Sequence, residues 1–225
     1  MCGRYSLTID FQTLADEFAL SFSEPPRGWR PRYHIAPSQP VPILVSQAKP
    51  NLDIAVWGLI PSWSKDPSIG QRMINARQET LTVKPSFKGL LRSQRCLVLA
   101  DGFYEWQRKS LRKTPYYIRL KSGRPFAFAG LWSHWVGPDG SEIRSCTIIT
   151  GKPNSLLQPI HDRMPVILPR GSREQWMDPA CSQARDLEPL LKPYNADQME
   201  AYPVSPMVNS SGYDESACVK PFDGQ

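Results

Sequence analysis

Short apolar runs bounded by turn residues dominate the pattern of hydrophobic and polar positions along this chain. The runs are rich in aromatic and β-branched side chains, which is typical of β-strands. The runs that predict strands are ILV at 43–45, IAVWGLI at 54–60, RCLVLA at 95–100, FYEWQ at 103–107, PYYIRL at 115–120, FAFAGLW at 126–132, SCTIIT at 145–150 and PVIL at 165–168. Because they are spread over most of the chain, the sequence predicts a β-rich fold.

Helical spacing is confined to a few short segments. One face of residues 10–20 carries four apolar side chains, those of Phe11, Leu14, Ala15 and Phe18, which predicts an amphipathic helix. Further helices are predicted at 85–91, 172–177 and 183–191. No composition shift or internal repeat divides the chain. We therefore expect the α+β class, with one domain over residues 1–225. It would be a twisted, mainly antiparallel sheet or open barrel with short flanking helices and a polar tail from about residue 209.

Charge and cysteine content narrow the classes of function. The net charge of +6 and the pI of about 9.1 permit an anionic partner such as nucleic acid. The five cysteines form no C-x-x-C pair, which disfavours a disulfide framework or zinc site and fits a reducing cytoplasm. A signal peptide, a membrane-spanning run and the nucleotide-binding glycine motifs are missing from the sequence. We therefore expect a cytoplasmic monomer without metal or cofactor.

Cys2 is the first candidate for chemistry, because of its position. Initiator methionine is generally removed before a small second residue, which leaves an α-amine and a thiol on adjacent carbons. Their ordinary pKa values of roughly 7.7–8.0 and about 8.5 make both groups partly reactive near neutral pH. The pair can condense with an aldehyde and close a thiazolidine, or attack an acyl group as N-terminal nucleophile hydrolases do. A small, buried and unreactive cysteine is the simpler interpretation of this residue alone.

Two segments contain candidates for proton transfer. Glu105 alternates with two aromatic residues, so a strand would direct its carboxylate away from both rings. Burial on that face would raise its pKa, whereas the alternative is a carboxylate facing solvent. His161 stands in an H-D-R cluster ahead of a strand and could transfer protons near neutral pH. Asp162 would either orient His161 or pair with Arg163.

Polar and basic residues near these segments suit unpaired nucleic acid. Asn75 could hold a substrate through its amide or cap a helix, and Arg77 could bind a phosphate. Phosphates bind cations while bases stack on aromatic rings. The candidates of this kind are Arg4, Arg77, Lys84 and Arg163, with Trp63 and Trp106 as stacking surfaces. Trp57 lies in an apolar run and is predicted for the core, whereas Trp63 lies in the loop PSWSKDP.

Taken together, these segments resemble the SOS response-associated peptidase (SRAP) family. The matching motifs run through the chain in the family's order: MCGR from Met1, YHIAPS from Tyr33, WGLIPSW from Trp57, INARQET from Ile74, ADGFYEW from Ala100, TIITGKPN from Thr147, HDRMPVIL from His161 and YPVSPMVN from Tyr202. Each motif alone is weak, but the ordered set is specific.

The resemblance implies both a reaction and residue roles. In this family the processed N-terminal cysteine bonds to the ring-opened aldehyde of an abasic site in single-stranded DNA, giving a thiazolidine that shields the site. By motif, Cys2 would be the nucleophile and Glu105 would handle protons around its amine. His161 would assist ring opening, and Asn75 would hydrogen-bond the linked sugar. The strand's path would be lined by Arg4, Arg77, Trp106, Thr150 and Arg163. Cleavage of the Met1 bond by Cys2 and some strand-cleaving lyase activity are also implied.

The chain departs from the family pattern at two positions. His34 stands where the family usually has Asn, so it either replaces that residue's support of the Cys2 loop or weakens it. Only Lys84 is available where some members carry an Arg that contacts phosphate.

Two other functions stay open from the sequence. A thiol peptidase or amidase using Cys2 would turn over peptides, whereas an abasic-site shield forms one bond per protein. A non-covalent single-stranded-DNA-binding module would not need Cys2. If a basic cleft follows the phosphates, affinity for DNA should fall steeply as salt rises.

Overall fold

The computed structural model describes residues 2–20, 24–26, 28–45, 51–109 and 112–222, with the backbone alone at residues 108, 109 and 112. The strands are β1 (Tyr5–Leu7), β2 (Arg32–Ile35), β3 (Pro40–Val45), β4 (Asn51–Trp57), β5 (Asn75–Arg77), β6 (Arg95–Ala100), β7 (Gly102–Lys109), β8 (Arg112–Leu120), β9 (Phe126–Val136), β10 (Glu142–Gly151), β11 (Met164–Pro165) and β12 (Met199–Pro203). The α-helices are α1 (Phe11–Phe18), α2 (Pro85–Ser93), α3 (Arg170–Met177) and α4 (Ala184–Leu187). Short 3₁₀ helices cover Pro67–Arg72, Gln78–Thr80, Glu188–Leu190, Ala196–Gln198, Pro206–Asn209 and Ser216–Val219. The predicted α+β class, with many strands and short helices, is confirmed.

Five strands close into a barrel. β4, β3, β6 and β9 pair antiparallel in that order, and β10 then pairs antiparallel with β9 and parallel with β4. The sequence predicted an open barrel or sheet, and β10 is the strand that closes it. Closure pairs strand edges that an open sheet would leave exposed.

The second half of β10 organises the region around the predicted site. β5 lies parallel to it, with Asn75 opposite Ile148 and Arg77 opposite Thr150. β11 pairs antiparallel with the same end of β10, where Thr150 meets Pro165. The Asn75 segment and the segment that follows His161 therefore meet at one end of β10.

A second sheet packs against the barrel and carries the other site residues. Its order is β12-β8-β7-β1-β2, and all its pairings are antiparallel. The Tyr5 ring lies 5.2 Å from Trp57 and 5.8 Å from Phe128, so this aromatic contact joins the sheet to the barrel core. Cys2 precedes β1 and Glu105 lies on β7, which pairs directly with β1.

The helices follow the predicted pattern, but α1 and α4 are shorter than predicted, whereas α2 and α3 are longer. Helix α1 begins after Asp10, whose side chain accepts from the Thr13 N–H at 2.9 Å, and it ends where Ala19 adopts a left-handed φ of 50°. The helix predicted at 183–191 is wrong beyond Leu187, where a 3₁₀ turn containing Pro189 replaces it. Among the described residues, no helix is long and apolar enough to span a bilayer.

The strand predicted at 165–168 is also wrong in extent, because β11 stops at Pro165. The Val166 N–H donates to the Ile149 carbonyl, whereas the Leu168 N–H donates to the Ala127 carbonyl. The segment thus alternates between two neighbouring strands, so it cannot build a continuous ladder with either.

The polar C-terminal segment packs on the outer face of the second sheet. Val208 and Cys218 are buried there in a cluster with Tyr104 and Tyr117. The Phe222 N–H donates to a β12 carbonyl at 3.0 Å. A few apolar residues therefore anchor a segment whose composition is mostly polar.

Candidate functional site

Cys2 and Asn75 come into direct contact although they are far apart in the sequence. The Asn75 amide donates to the Cys2 carbonyl at 2.8 Å. Asn75 opens strand β5, so the alternative interpretation of Asn75 as a helix N-cap is wrong. Its side chain instead fixes the backbone of the residue that would carry the reactive amine and thiol.

Glu105 is buried on the face of β7 opposite its aromatic neighbours. Only 2% of the residue is exposed, so the alternative of a solvent-facing carboxylate is wrong. Tyr104 and Trp106 belong to the apolar cluster on the other side of the sheet. Burial raises the pKa of Glu105 from 4.5 to about 7. At neutral pH this carboxyl group can therefore both donate and accept a proton.

His161 lies beside Glu105. Its Nε2 is 3.9 Å from Glu105 Oε2, and the Arg163 backbone N–H donates to its Nδ1 at 3.1 Å. A neutral imidazole that accepts at Nδ1 carries its proton on Nε2, directed toward Glu105. Asp162 Oδ1 is 3.0 Å from Nδ1, but 88% of its side chain is exposed. The Arg163 carbonyl also lies 3.2 Å from Nδ1, so a ring that carries its proton on Nδ1 can donate to this carbonyl or to Asp162.

The Cys2 thiol is held in its protonated form. Complete burial raises its pKa well above the ordinary value, and the nearby negative charge of Glu105 raises it further. The thiol contacts the Arg4 carbonyl at 3.8 Å. A neutral thiol next to a carboxyl group of pKa about 7 needs that group, or another base, before it can attack.

An ion pair and hydrogen bonds hold Arg163 in the wall of the site. Its guanidinium forms a bidentate pair with Glu79 at 3.0 and 2.9 Å. It also donates to the Thr150 carbonyl at 2.6 Å and to the Thr150 hydroxyl at 3.3 Å. In the sequence Glu79 belongs to the same polar run as Asn75 and Arg77, but no role was predicted for it, because its partner Arg163 lies in a distant motif.

The other predicted DNA-contacting residues differ in exposure. Arg77 and Lys84 are exposed, and 62% of Trp63 is exposed. Arg4 is half-buried and donates to the Gly3 carbonyl at 2.8 Å. Trp106 is half-buried, and its indole N–H donates to Asn209 at 2.7 Å. Asn209 was missed in the sequence, because its contact with Trp106 depends on how the C-terminal segment packs.

A cavity of about 600 Å³ opens next to His161. Its walls are formed by Pro153, Gln158, Pro159, Ile160, His161 and Asp162. The Gln107 amide donates to the Pro159 carbonyl at 2.9 Å and so fastens this wall to strand β7. In the part of the chain that the structure describes, no group of three or more His, Cys, Asp or Glu side chains could hold a metal ion.

His34 occupies the position at which the chain departs from the family pattern. Its Nδ1 lies 2.9 Å from the Tyr213 carbonyl, and its ring packs edge-on against Tyr104 at 5.3 Å. The Asp214 carboxylate accepts from the Tyr33 and His34 backbone N–H groups at 2.6 and 3.0 Å. In this chain His34 therefore joins β2 to the C-terminal segment.

Comparisons with known proteins agree with this arrangement. Residues 1–211 match the family described as SOS response associated peptidase (SRAP). The chain is 47% identical over 212 residues to the abasic site processing protein YoqW of Bacillus subtilis (strain 168), covering 93% of this chain and 95% of that protein. It is 35% identical over 228 residues to the abasic site processing protein HMCES of Gallus gallus, covering 87% of this chain and 67% of that protein.

Solved structures share the fold along nearly the whole chain. A crystal structure of a protein from Bacteroides thetaiotaomicron superposes with a TM-score of 0.88 at 28% identity, covering 98% of this chain and 100% of that one. A phage-related protein from Bordetella bronchiseptica superposes with a TM-score of 0.71 at 29% identity, covering 90% and 94% of the two chains.

Proposed function

Since the chain belongs to the SOS response associated peptidase family, we propose that it captures abasic sites in single-stranded DNA covalently through Cys2 after Met1 is removed. The relatives YoqW and HMCES are both named abasic site processing proteins. The observation that carries the proposal is the position of Glu105. It is a buried carboxyl group with a pKa of about 7, it acts on the Cys2 thiol by its charge, and it lies 3.9 Å from His161.

The proposed reaction begins at the amine, because the Cys2 thiol is protonated at neutral pH. The Cys2 amine adds to the C1′ aldehyde of the open sugar, and loss of water from the carbinolamine gives an imine. Glu105 in its acid form donates the proton that leaves with this water. The imine keeps the carbinolamine's N–H proton as an iminium ion, and sulfur attacks C1′ while the carboxylate accepts the thiol proton. The thiazolidine closes with a neutral N–H, and Glu105 is again in its acid form. One water is released overall.

His161 and Asn75 take supporting roles in this proposal. His161 Nε2 lies 3.9 Å from Glu105 Oε2, and when it carries a proton it can protonate the sugar's ring oxygen as the aldehyde forms. Asn75 holds the Cys2 carbonyl and has an amide oxygen left to accept from the linked sugar. Arg4, Arg77, Lys84 and Arg163, together with Trp63 and Trp106, would line the path of the strand, whereas Thr150 is buried behind Arg163 and would support it.

Two further activities belong to the same proposal. The imine intermediate permits β-elimination of the 3′ phosphate, which is lyase chemistry and would compete with ring closure by sulfur. Cleavage of the bond to Met1 by Cys2 would be a single self-processing event, in contrast to turnover of other peptides. We propose that the protein acts as a monomer, since one buried cysteine serves one abasic site.

Intact-protein mass measurement tests this function. Protein confirmed to begin at Cys2 is mixed with single-stranded DNA that carries one abasic site and is then denatured. We expect an adduct equal to protein plus DNA minus one water, formed by wild type and by Cys181→Ala. That variant removes the half-buried thiol of Cys181, which lies elsewhere in the fold.

Cys2→Ala and protein that retains Met1 should give no adduct. If wild type gives no adduct, the proposal is wrong. If Cys2→Ala binds intact single-stranded DNA as wild type does, Cys2 is not needed for initial binding. If wild type instead turns over peptide substrates, the thiol peptidase takes the place of the abasic-site shield.

A further inference from the structure

One face of helix α2 carries a line of cations. Lys88 and Arg92 are exposed and four residues apart, so they lie along one side of the helix, and the exposed Lys84 is the N-cap residue four positions before Lys88. We call these three residues the α2 stripe. The segment Pro85–Ser93 contains no acidic residue, and within the described ranges no carboxylate lies within 4.0 Å of any of the three cations. Like charges at this spacing destabilise a helix, so the helix itself does not account for them.

The stripe begins where the candidate site ends. The Lys84 N–H donates to the Thr80 carbonyl at 2.9 Å, and the Thr80 hydroxyl donates to the Arg77 carbonyl at 3.1 Å. Two apolar side chains of α2, those of Phe87 and Leu91, are buried against the core and hold the helix in place. The cations therefore extend from the Arg77 segment along a fixed direction.

The far end of the stripe is also fixed. The buried guanidinium of Arg95 donates to the Leu91 and Arg92 carbonyls, each at 2.8 Å. These are carbonyls of the last helical turn, which have no partner within a helix. Arg92 therefore lies in a last helical turn whose carbonyl groups are capped by Arg95.

Gly89 is next to Lys88 in helix α2. Gly89 is in the interior of α2, where glycine is less stable than alanine, yet a Cβ at this position would meet nothing within 4 Å. Packing inside the described fold therefore gives no reason for a glycine. Glycine also permits the close approach of a ligand to the helix backbone.

We propose that the α2 stripe and Gly89 bind the sugar-phosphate backbone of the DNA strand on one side of the abasic nucleotide. This inference rests on the proposed function. Neighbouring cations of the stripe are about 6 Å apart along the helix, which allows each to face a different phosphate of the strand. The whole stripe spans about 12 Å.

The salt dependence of DNA affinity distinguishes binding by the α2 stripe from a general effect of the protein's net charge. The affinity for single-stranded DNA without an abasic site is measured between 50 and 200 mM salt by fluorescence anisotropy. Each phosphate contact adds about 0.7 to the slope of log affinity against log salt. Lys88→Ala/Arg92→Ala should therefore reduce the slope by about 1.4, and wild type should lose about 7-fold more affinity than this variant over that range.

The matched control is Lys121→Ala/Arg124→Ala. It removes the same charge from two exposed residues in the turn after β8. This variant should keep the wild-type slope. Equal changes in both double variants would overturn the stripe, since the effect would then follow net charge alone.

Gly89→Ala separates binding from folding. Alanine should raise the melting temperature of the protein, because it favours a helix and has open space at this position. The same variant should weaken DNA affinity, because its methyl group stands between the helix and the strand. Gly171→Ala in α3, where a Cβ also meets nothing within 4 Å, should leave DNA affinity unchanged. If Gly89→Ala binds DNA as wild type does, Gly89 is no part of the surface.

The position of the flanking strand gives the last test. Adduct formation is followed at low protein concentration with DNA that extends only 5′ or only 3′ of the abasic site. Lys88→Ala/Arg92→Ala should slow the reaction on one of these DNAs and not on the other. A wild type that neither binds DNA nor forms an adduct overturns the proposed function. A wild type that does both, with a double variant identical to it, overturns only the stripe.

Discussion

Replacing Glu105 with Gln removes a charge that the fold disfavours, so this variant should be more stable than wild type at neutral and higher pH. Burial raises the pKa of Glu105 from 4.5 to about 7 in the folded protein. In the unfolded chain the carboxyl group returns to its ordinary pKa. Between these two values the unfolded chain releases a proton that the folded protein retains. The stability of wild type therefore falls as pH rises from about 4.5 to about 7, and the loss is complete above that.

The size of this effect follows from the pKa. Each pKa unit corresponds to about 1.4 kcal/mol, so a rise from 4.5 to about 7 costs the ionised, folded protein about 3 kcal/mol. Gln has the shape of protonated Glu and never ionises. We therefore expect similar free energies of unfolding near pH 4.5 and an advantage of about 3 kcal/mol for Glu105→Gln above pH 7. In a chain of 225 residues this corresponds to a melting temperature higher by about 6–12 °C.

Urea unfolding from pH 4.5 to 8.5 measures this difference directly. Both proteins should have the same N-terminus, as confirmed by mass, so that they differ only at position 105. Glu174→Gln, which removes an exposed carboxylate from α3, controls for the loss of one negative charge. A stability difference between Glu105→Gln and wild type that stays constant with pH would refute the reasoning. So would a variant less stable than wild type at pH 8, since the partners of ionised Glu105 would then outweigh its burial.

Two further predictions concern groups that hold the fold around the site. Asp214→Ala should lower the free energy of unfolding by about 2–4 kcal/mol, because the carboxylate accepts from two β2 backbone N–H groups and from Arg32. Burial alone would raise the pKa of Asp214, but these hydrogen bonds outweigh burial and lower the pKa. The stability that Asp214 contributes should therefore be present near neutral pH and disappear as pH falls below 3.8. Thermal unfolding from pH 3 to 7, with the exposed Asp197→Ala as control, checks this. Arg95→Met should cost about 3–5 kcal/mol in urea unfolding, because the buried guanidinium donates to four backbone carbonyls, whereas the exposed Arg92→Met should cost less than 1 kcal/mol.

The sequence determined the elements whose signals are local. Strand β6 coincides with the run RCLVLA, in which all five residues after Arg95 are apolar, as is typical of a strand buried on both faces. Helix α1 starts after Asp10 because a carboxylate at the N-cap satisfies a free backbone N–H, which is visible in the sequence. Alternation on β7 likewise predicted that Glu105 faces away from its aromatic neighbours, and the residues themselves gave it a role in proton transfer.

Only the tertiary structure decided which distant segments meet. The barrel closes because β10 pairs with β4, and no local pattern specifies a parallel partner so far along the chain. The same strand places Asn75 on a β-strand rather than at a helix cap, and its amide reaches Cys2. Arg163 pairs with Glu79, and Trp106 with Asn209, for the same reason. Periodicity and capping act between neighbours in the sequence, whereas partner choice depends on which surfaces the core brings together, and that is fixed only when the whole chain packs.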